Sequence, residues 1–192
     1  TTMYVDQPLV QYNVAEDCSR QMNPTDYPSG WQRVAAGIWP WKCKDSVFQY
    51  NECYNNQYAY HGNGDGQAWD ADWTDGTLYH SHGNSRGAIM FCGAEAVNTT
   101  FRYNISENEL TGPLDLPGNP DAHIYNNTFY MNENIKSIFD RTGGNAVLEN
   151  NIFYYGGSTP LNQNWYPGGT LQYDNNLYYN FANTAEIRMP LL

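Results

Sequence analysis

The chain has 192 residues, which is the size of one domain, so we predict a single domain over residues 1–192. Nine Lys and Arg residues against twenty Asp and Glu residues give a net charge of −11. The negative electrostatic field disfavours nucleic acid, anionic membranes and acidic sugars, whereas neutral or cationic partners fit it. No apolar stretch is long enough to span a bilayer.

A short pattern recurs along the chain: an apolar residue, two polar or aromatic residues, then asparagine. The asparagines that end it, with one serine among them, are Asn13, Asn51, Ser81, Asn104, Asn127, Asn151 and Asn176. The first two steps span 38 and 30 residues, and the later ones span 23 to 25. Coils of this length without a helical pattern predict an all-β, right-handed parallel β-helix of about seven coils, with pectate-lyase-like architecture.

The recurring asparagine is predicted to lie at a bend between strands, where its amide bonds the equivalent amide of the next coil. The alternative is an exposed turn asparagine. Two inward-facing columns accompany the bend. The first is Val10, Phe48, Leu78, Phe101, Ile124, Leu148 and Tyr173, and the second is Phe129, Phe153 and Tyr178.

The two long steps predict inserted loops in the N-terminal coils, at about residues 18–46 and 54–76. These segments hold five of the six tryptophans, namely Trp31, Trp39, Trp41, Trp69 and Trp73. Indole rings stack on the apolar faces of sugar rings, so the concentration indicates a carbohydrate ligand. The alternative is that the tryptophans pack the loops onto the rod or cover its end.

The second loop ends in an acidic cluster, Asp65, Asp70, Asp72 and Asp75, without a Lys or Arg among them. If residues 69–73 form a strand, Asp70 and Asp72 share one face and Trp69 and Trp73 the other. Three interpretations stay open. The carboxylates cleave a glycosidic bond, bind Ca²⁺ as a structural ion, or form a solvated acidic turn.

Two further candidates follow the acidic cluster. His82 and Arg86 lie in the next coil, within reach of the acidic strand if coils stack in register. Both are candidate sugar ligands, although His82 has an equally good structural interpretation and Arg86 is suited to balance the local negative charge. The four cysteines, Cys18, Cys43, Cys53 and Cys92, show neither the density of a disulfide scaffold nor the spacing of a zinc site.

The coils with Tyr-Asn and Asn-Asn bends, together with Asp-Gly-Gln-Ala-Trp-Asp-Ala-Asp-Trp at 65–73, resemble the β-helical lacto-N-biosidases of gut bacteria. The resemblance implies a retaining glycoside hydrolase that releases lacto-N-biose from neutral Gal/GlcNAc-containing oligosaccharides. It places the acid/base at Asp65 and the nucleophile at Asp72. We predict substrate contacts from Gln67, Trp69, Asp70, Trp73, His82 and Arg86, and no cofactor for the chemistry.

The resemblance also bears on the size and location of the protein. Such enzymes are considerably longer, so further coils, a missing domain or a partner subunit are expected to complete the fold. We expect a bacterial protein outside the cell or on its surface. Two other functions stay open: a calcium-dependent polysaccharide lyase of pectate-lyase type, and a non-catalytic carbohydrate-binding β-helix.

Overall fold

The structure, a computed structural model, describes residues 1–18, 36–56, 66–85, 87–92, 96–109, 111–118, 120–132, 135, 137–157 and 169–182. These residues form short strands and no helix, so none of their segments is a helix that could cross a membrane. The strands are β1 (Thr2–Met3), β2 (Leu9–Gln11), β3 (Val14–Glu16), β4 (Pro40–Trp41), β5 (Val47–Asn56), β6 (Trp69–Asp72), β7 (Leu78–Ser85), β8 (Ile89–Cys92), β9 (Thr99–Arg102), β10 (Ile105–Glu107), β11 (Leu114–Asp115), β12 (Asp121–Tyr125), β13 (Thr128–Met131), β14 (Asn145–Glu149), β15 (Ile152–Tyr155), β16 (Leu171–Asp174) and β17 (Leu177–Asn180).

Parallel pairing between successive coils organises all of these strands. A five-stranded sheet runs in the order β1-β4-β6-β8-β11, and a twelve-stranded sheet contains the others. In the large sheet β12 pairs with β9 and β14, while β13 pairs with β10 and β15. The predicted all-β parallel β-helix is confirmed.

The asparagine ladder is also present. Asn127 Nδ2 donates to Asn151 Oδ1 over 3.0 Å, and Asn151 Nδ2 donates to Asn176 Oδ1 over 2.9 Å. The residue before each ladder asparagine has a left-handed φ of 51° to 58°, at Tyr12, Tyr50, Tyr103, Asn126, Asn150 and Asn175. Asparagine and glycine adopt this conformation most easily, which explains the Asn-Asn bends of the later coils.

The core lies between the sheets and is built from stacked side chains. Phe129, Phe153 and Tyr178 form the predicted second column, with ring centroids 4.9 and 5.1 Å apart. In the first column the prediction of Leu78 is wrong. Tyr79 occupies that place, because it lies in register with Phe48 and Phe101 and is fully buried.

The predicted loops at 18–46 and 54–76 are only partly loops. Residues 36–46 and 66–76 contain β4 and β6, which extend the five-stranded sheet that β8 and β11 continue. The intervening residues 19–35 and 57–65 lie outside the described residues, and Trp31 lies among them. Three of the cysteines, Cys18, Cys43 and Cys53, are free thiols.

Candidate functional site

The outer face of strand β6 carries the acidic cluster. Trp69 and Ala71 pack in the hydrophobic core, so strand alternation directs Asp70 and Asp72 outward, on one shared face as predicted. Asp70 is nevertheless buried, whereas Asp72 is half-buried. In the sheet Asp72 lies in register between Trp41 and Cys92 of the neighbouring coils. Asp72 is therefore the carboxylate of this strand that a ligand on the outer face can reach.

The strand ends at a bend that exposes Trp73. Trp73 has a left-handed φ of 54°, which ends the alternation and turns its indole outward, 46% exposed. The ammonium group of Lys42, from the preceding coil, lies 4.3 Å from the centroid of the Trp73 ring and 5.3 Å from that of Trp41. This cation–π contact fixes an exposed indole directly beside Asp72.

A third outward carboxylate, Asp115 of β11, was not predicted from the sequence. Asp115 and Asp70 are each in register with Met90, so the two lie two strands apart on the same sheet. Asp115 is fully buried and accepts bonds from Gln67 Nε2 at 2.8 Å and from Arg141 Nε and Nη2 at 2.7 and 2.6 Å. The signal that could have revealed it is the acid between two core leucines in Leu114-Asp115-Leu116.

The backbone of β6 is held from inside the coil. The Tyr79 hydroxyl donates to the Asp70 main-chain oxygen over 2.7 Å. Burial, and to a lesser extent the Asp70 charge, raise the pKa of Tyr79 well above its ordinary value. The phenol therefore stays protonated, and its bond fixes the strand from which Asp70 and Asp72 project.

Several predicted ligands are placed differently from expectation. Trp69 is fully buried against Tyr79 in the core, which argues against its predicted contact with a sugar. Gln67 is also fully buried and binds Asp115, which makes it a supporting residue rather than a surface ligand. His82 pairs with Glu52 and Ile105 in the large sheet, so the register does not make it a neighbour of Asp72.

Asp65 and Arg86 lie outside the described residues, so their predicted roles remain predictions. Among the residues that the structure describes, no group of three or more His, Cys, Asp or Glu side chains is arranged to hold a metal ion. The site that can be built thus consists of Asp72, the exposed Trp73 with Lys42, and the buried Asp70 and Asp115 of the same sheet.

Fold and site together define a parallel β-helix protein whose outer face presents a half-buried carboxylate and an exposed indole. No protein-family model matches the chain. A lacto-N-biosidase of Bifidobacterium longum subsp. longum is 52% identical over 193 residues, covering 95% of this chain and 12% of that protein. Two crystal structures of GH136 lacto-N-biosidase from Eubacterium ramulus superpose with TM-scores of 0.58 and 0.60 at 31% and 30% identity, covering 93% of this chain and 25% of that chain.

The resemblance to β-helical lacto-N-biosidases is thus confirmed over nearly the whole chain. The chain spans about an eighth of the length of the curated relative and a quarter of the solved chains.

Proposed function

We propose that this chain is part of a glycoside hydrolase that releases lacto-N-biose from neutral Gal/GlcNAc-containing oligosaccharides. The observation that carries the proposal is the outward, half-buried Asp72 beside the exposed Trp73, in a chain that is 52% identical to a segment of a lacto-N-biosidase. A carboxylate next to an aromatic platform suits attack on a sugar whose apolar face lies on the indole.

The proposed mechanism is the retaining one. Asp72 attacks the anomeric carbon and forms a covalent glycosyl ester as the glycosidic bond breaks, and Asp65 protonates the leaving oxygen. Asp65 then removes a proton from water, which attacks the anomeric carbon and displaces the Asp72 carboxylate. The exposure of Asp72 on the outer face supports the first role, and the sequence resemblance supports both.

The product anomer tests this proposal. The intact protein, including any part beyond these 192 residues, is incubated with lacto-N-tetraose, and the products are followed by proton NMR from the first turnover. We expect lacto-N-biose to appear first with the anomeric configuration of the cleaved bond, before mutarotation. Release of the inverted anomer would refute the retaining mechanism, and the absence of any product would refute the proposed function.

A cation–π contact is expected to prepare Trp73 for sugar binding. Replacing Lys42 by methionine keeps an aliphatic side chain but removes the ammonium from the ring, 4.3 Å away. Because such a contact contributes about 0.5 to 1 kcal/mol at an exposed site, we expect KM for lacto-N-tetraose to rise about two- to fivefold with kcat unchanged. Lys44→Met, an exposed lysine two residues further on, is the matched control for the lost charge. Equal effects of both variants would contradict a specific role of Lys42.

Two further features belong to the same proposal. The chemistry needs no cofactor, and a structural Ca²⁺ at the acidic segment stays a separate hypothesis that dialysis against a chelator tests. We also propose that the protein acts outside the bacterial cell or on its surface, since its substrates are oligosaccharides. Protease treatment of intact cells should then remove the activity.

A further inference from the structure

The buried Asp115 has no role in the proposed mechanism, yet it is tightly bound. Its outward direction follows from the core positions of Leu114 and Leu116 on either side. Three donors, from Gln67 and Arg141, converge on its two oxygens within 2.8 Å. A buried carboxylate that is bound so completely is a fixed anchor rather than a reactive group.

Arg141 is the exposed member of this network. Its side chain is 49% exposed, whereas that of Asp115 is 0% exposed. The bidentate contact locks the guanidinium plane, and Gln67 Nε2 donates a third bond to Asp115 Oδ2. Because Asp115 already orders this half-exposed arginine, binding a ligand costs little further side-chain entropy. Arg141 is therefore preorganised to donate hydrogen bonds to sugar oxygens.

The position of the network relative to Asp72 matches the size of a disaccharide. Asp115 lies two strands from Asp70, and Asp72 lies two residues further along β6. With a strand spacing of about 4.8 Å and a rise of about 3.3 Å per residue, the Cα atoms of Asp72 and Asp115 are about 12 Å apart. A sugar bound at Asp72 therefore leaves room for one more ring before Arg141.

We propose that Arg141, held by Asp115 and Gln67, binds the galactose ring of the lacto-N-biose unit, next to the ring that reacts at Asp72. Arg141 donates hydrogen bonds to galactose oxygens, and Asp115 and Gln67 act as positioning residues. This inference rests on the proposed function, because it takes the reacting sugar to lie at Asp72. It assigns the specificity for a disaccharide to Arg141 with its two supporting residues, and both Asp115 and Arg141 lie outside the acidic cluster.

Calorimetry on the intact protein tests the inference with two ligands, lacto-N-biose and N-acetylglucosamine. We expect Arg141→Met to weaken lacto-N-biose binding about ten- to a hundredfold, as for a lost hydrogen bond in a polar site, and to leave N-acetylglucosamine binding unchanged. Arg141→Met leaves Asp115 buried without a cation, which can destabilise the fold. Arg141→Lys is therefore the second variant, because it keeps the positive charge and loses the bidentate guanidinium contact. It should weaken binding of the disaccharide alone.

Several outcomes overturn the inference. If Arg141→Lys binds lacto-N-biose as tightly as the parent protein, the inference is wrong. It is also wrong if the Arg141 variants lose equal affinity for lacto-N-biose and N-acetylglucosamine, because that would indicate a structural role. Arg141-dependent binding without hydrolysis by the parent would refute the proposed function alone. Hydrolysis that is unaffected in both Arg141 variants would refute this inference alone, and failure of the parent to bind lacto-N-biose would refute both.

Discussion

Replacing Asp72 by alanine in the intact protein is expected to lower kcat for lacto-N-tetraose by about 10⁴-fold, because no other group then forms the glycosyl ester. Asp72 lies on the outer face of the sheet and is half-buried, so the substitution leaves the core residues Trp69 and Ala71 in place. We therefore expect an unchanged melting temperature together with the loss of turnover.

Azide distinguishes the nucleophile from the acid/base. In Asp72→Ala, azide occupies the space of the lost carboxylate and attacks directly, so the product is a glycosyl azide of inverted configuration. In Asp65→Ala, azide instead attacks the ester on Asp72 and gives the retained configuration. Asp75→Asn is the matched control, since Asp75 follows the bend and accepts a bond from Asn98 over 2.8 Å. It should keep activity within about threefold.

A variant of Asp70 tests the assignment of Asp65 as the acid/base. It shares the outer face with Asp72, and their Cα atoms are about 6.6 Å apart in an extended strand. If Asp70→Ala rather than Asp65→Ala formed the azide of retained configuration, Asp70 would be the acid/base. Its burial argues against that role, because the acid must reach the leaving oxygen.

The sequence predicts the fold well because every coil of a β-helix places inward-facing side chains and bends at equivalent positions. The ladder asparagines and the ring column of Phe129, Phe153 and Tyr178 lie where the period places them. The error at Leu78 has a local cause. In β5 and β7, Phe48 pairs with Tyr79 and Glu52 pairs with His82, so β7 is one residue shorter than β5 between these two pairs. Counting back from Ser81 by the usual spacing therefore reaches Leu78 instead of Tyr79.

The candidate site is harder to predict, because its side-chain positions depend on where strands end and on contacts between residues far apart in the sequence. Alternation alone places Trp69 and Trp73 on the same face, but the left-handed backbone at Trp73 ends the strand and exposes that indole. Arg141 and Asp115 are 26 residues apart and meet only when coils stack. Aligning the Leu-Asp-Leu segment with β6 across two coils would have shown that Asp70 and Asp115 belong to one row.

Replacing Asn127 by alanine is expected to lower the free energy of opening of its coil by about 3 to 5 kcal/mol. Its buried side chain donates to Phe101 O and Asn151 Oδ1, and its own Oδ1 accepts from Asn104 N and Nδ2, all within 3.0 Å. Alanine removes all four bonds and leaves main-chain groups buried without partners. Since an intact protein larger than this chain need not unfold in one step, amide hydrogen exchange in β13 is the appropriate measurement.

We expect exchange in β13 to accelerate by about 10²- to 10⁴-fold in Asn127→Ala. Asn145→Ala is the control, because Asn145 is exposed and its Oδ1 accepts from Thr170 N and Oγ1 rather than from a ladder asparagine. Its loss should change β13 exchange by less than about threefold. Similar acceleration in both variants would mean that the ladder adds nothing beyond an ordinary surface contact. If acceleration stays within the coils next to Asn127, each coil depends on its nearest neighbours. If it instead reaches β6, the ladder also stabilises the strand that presents Asp72.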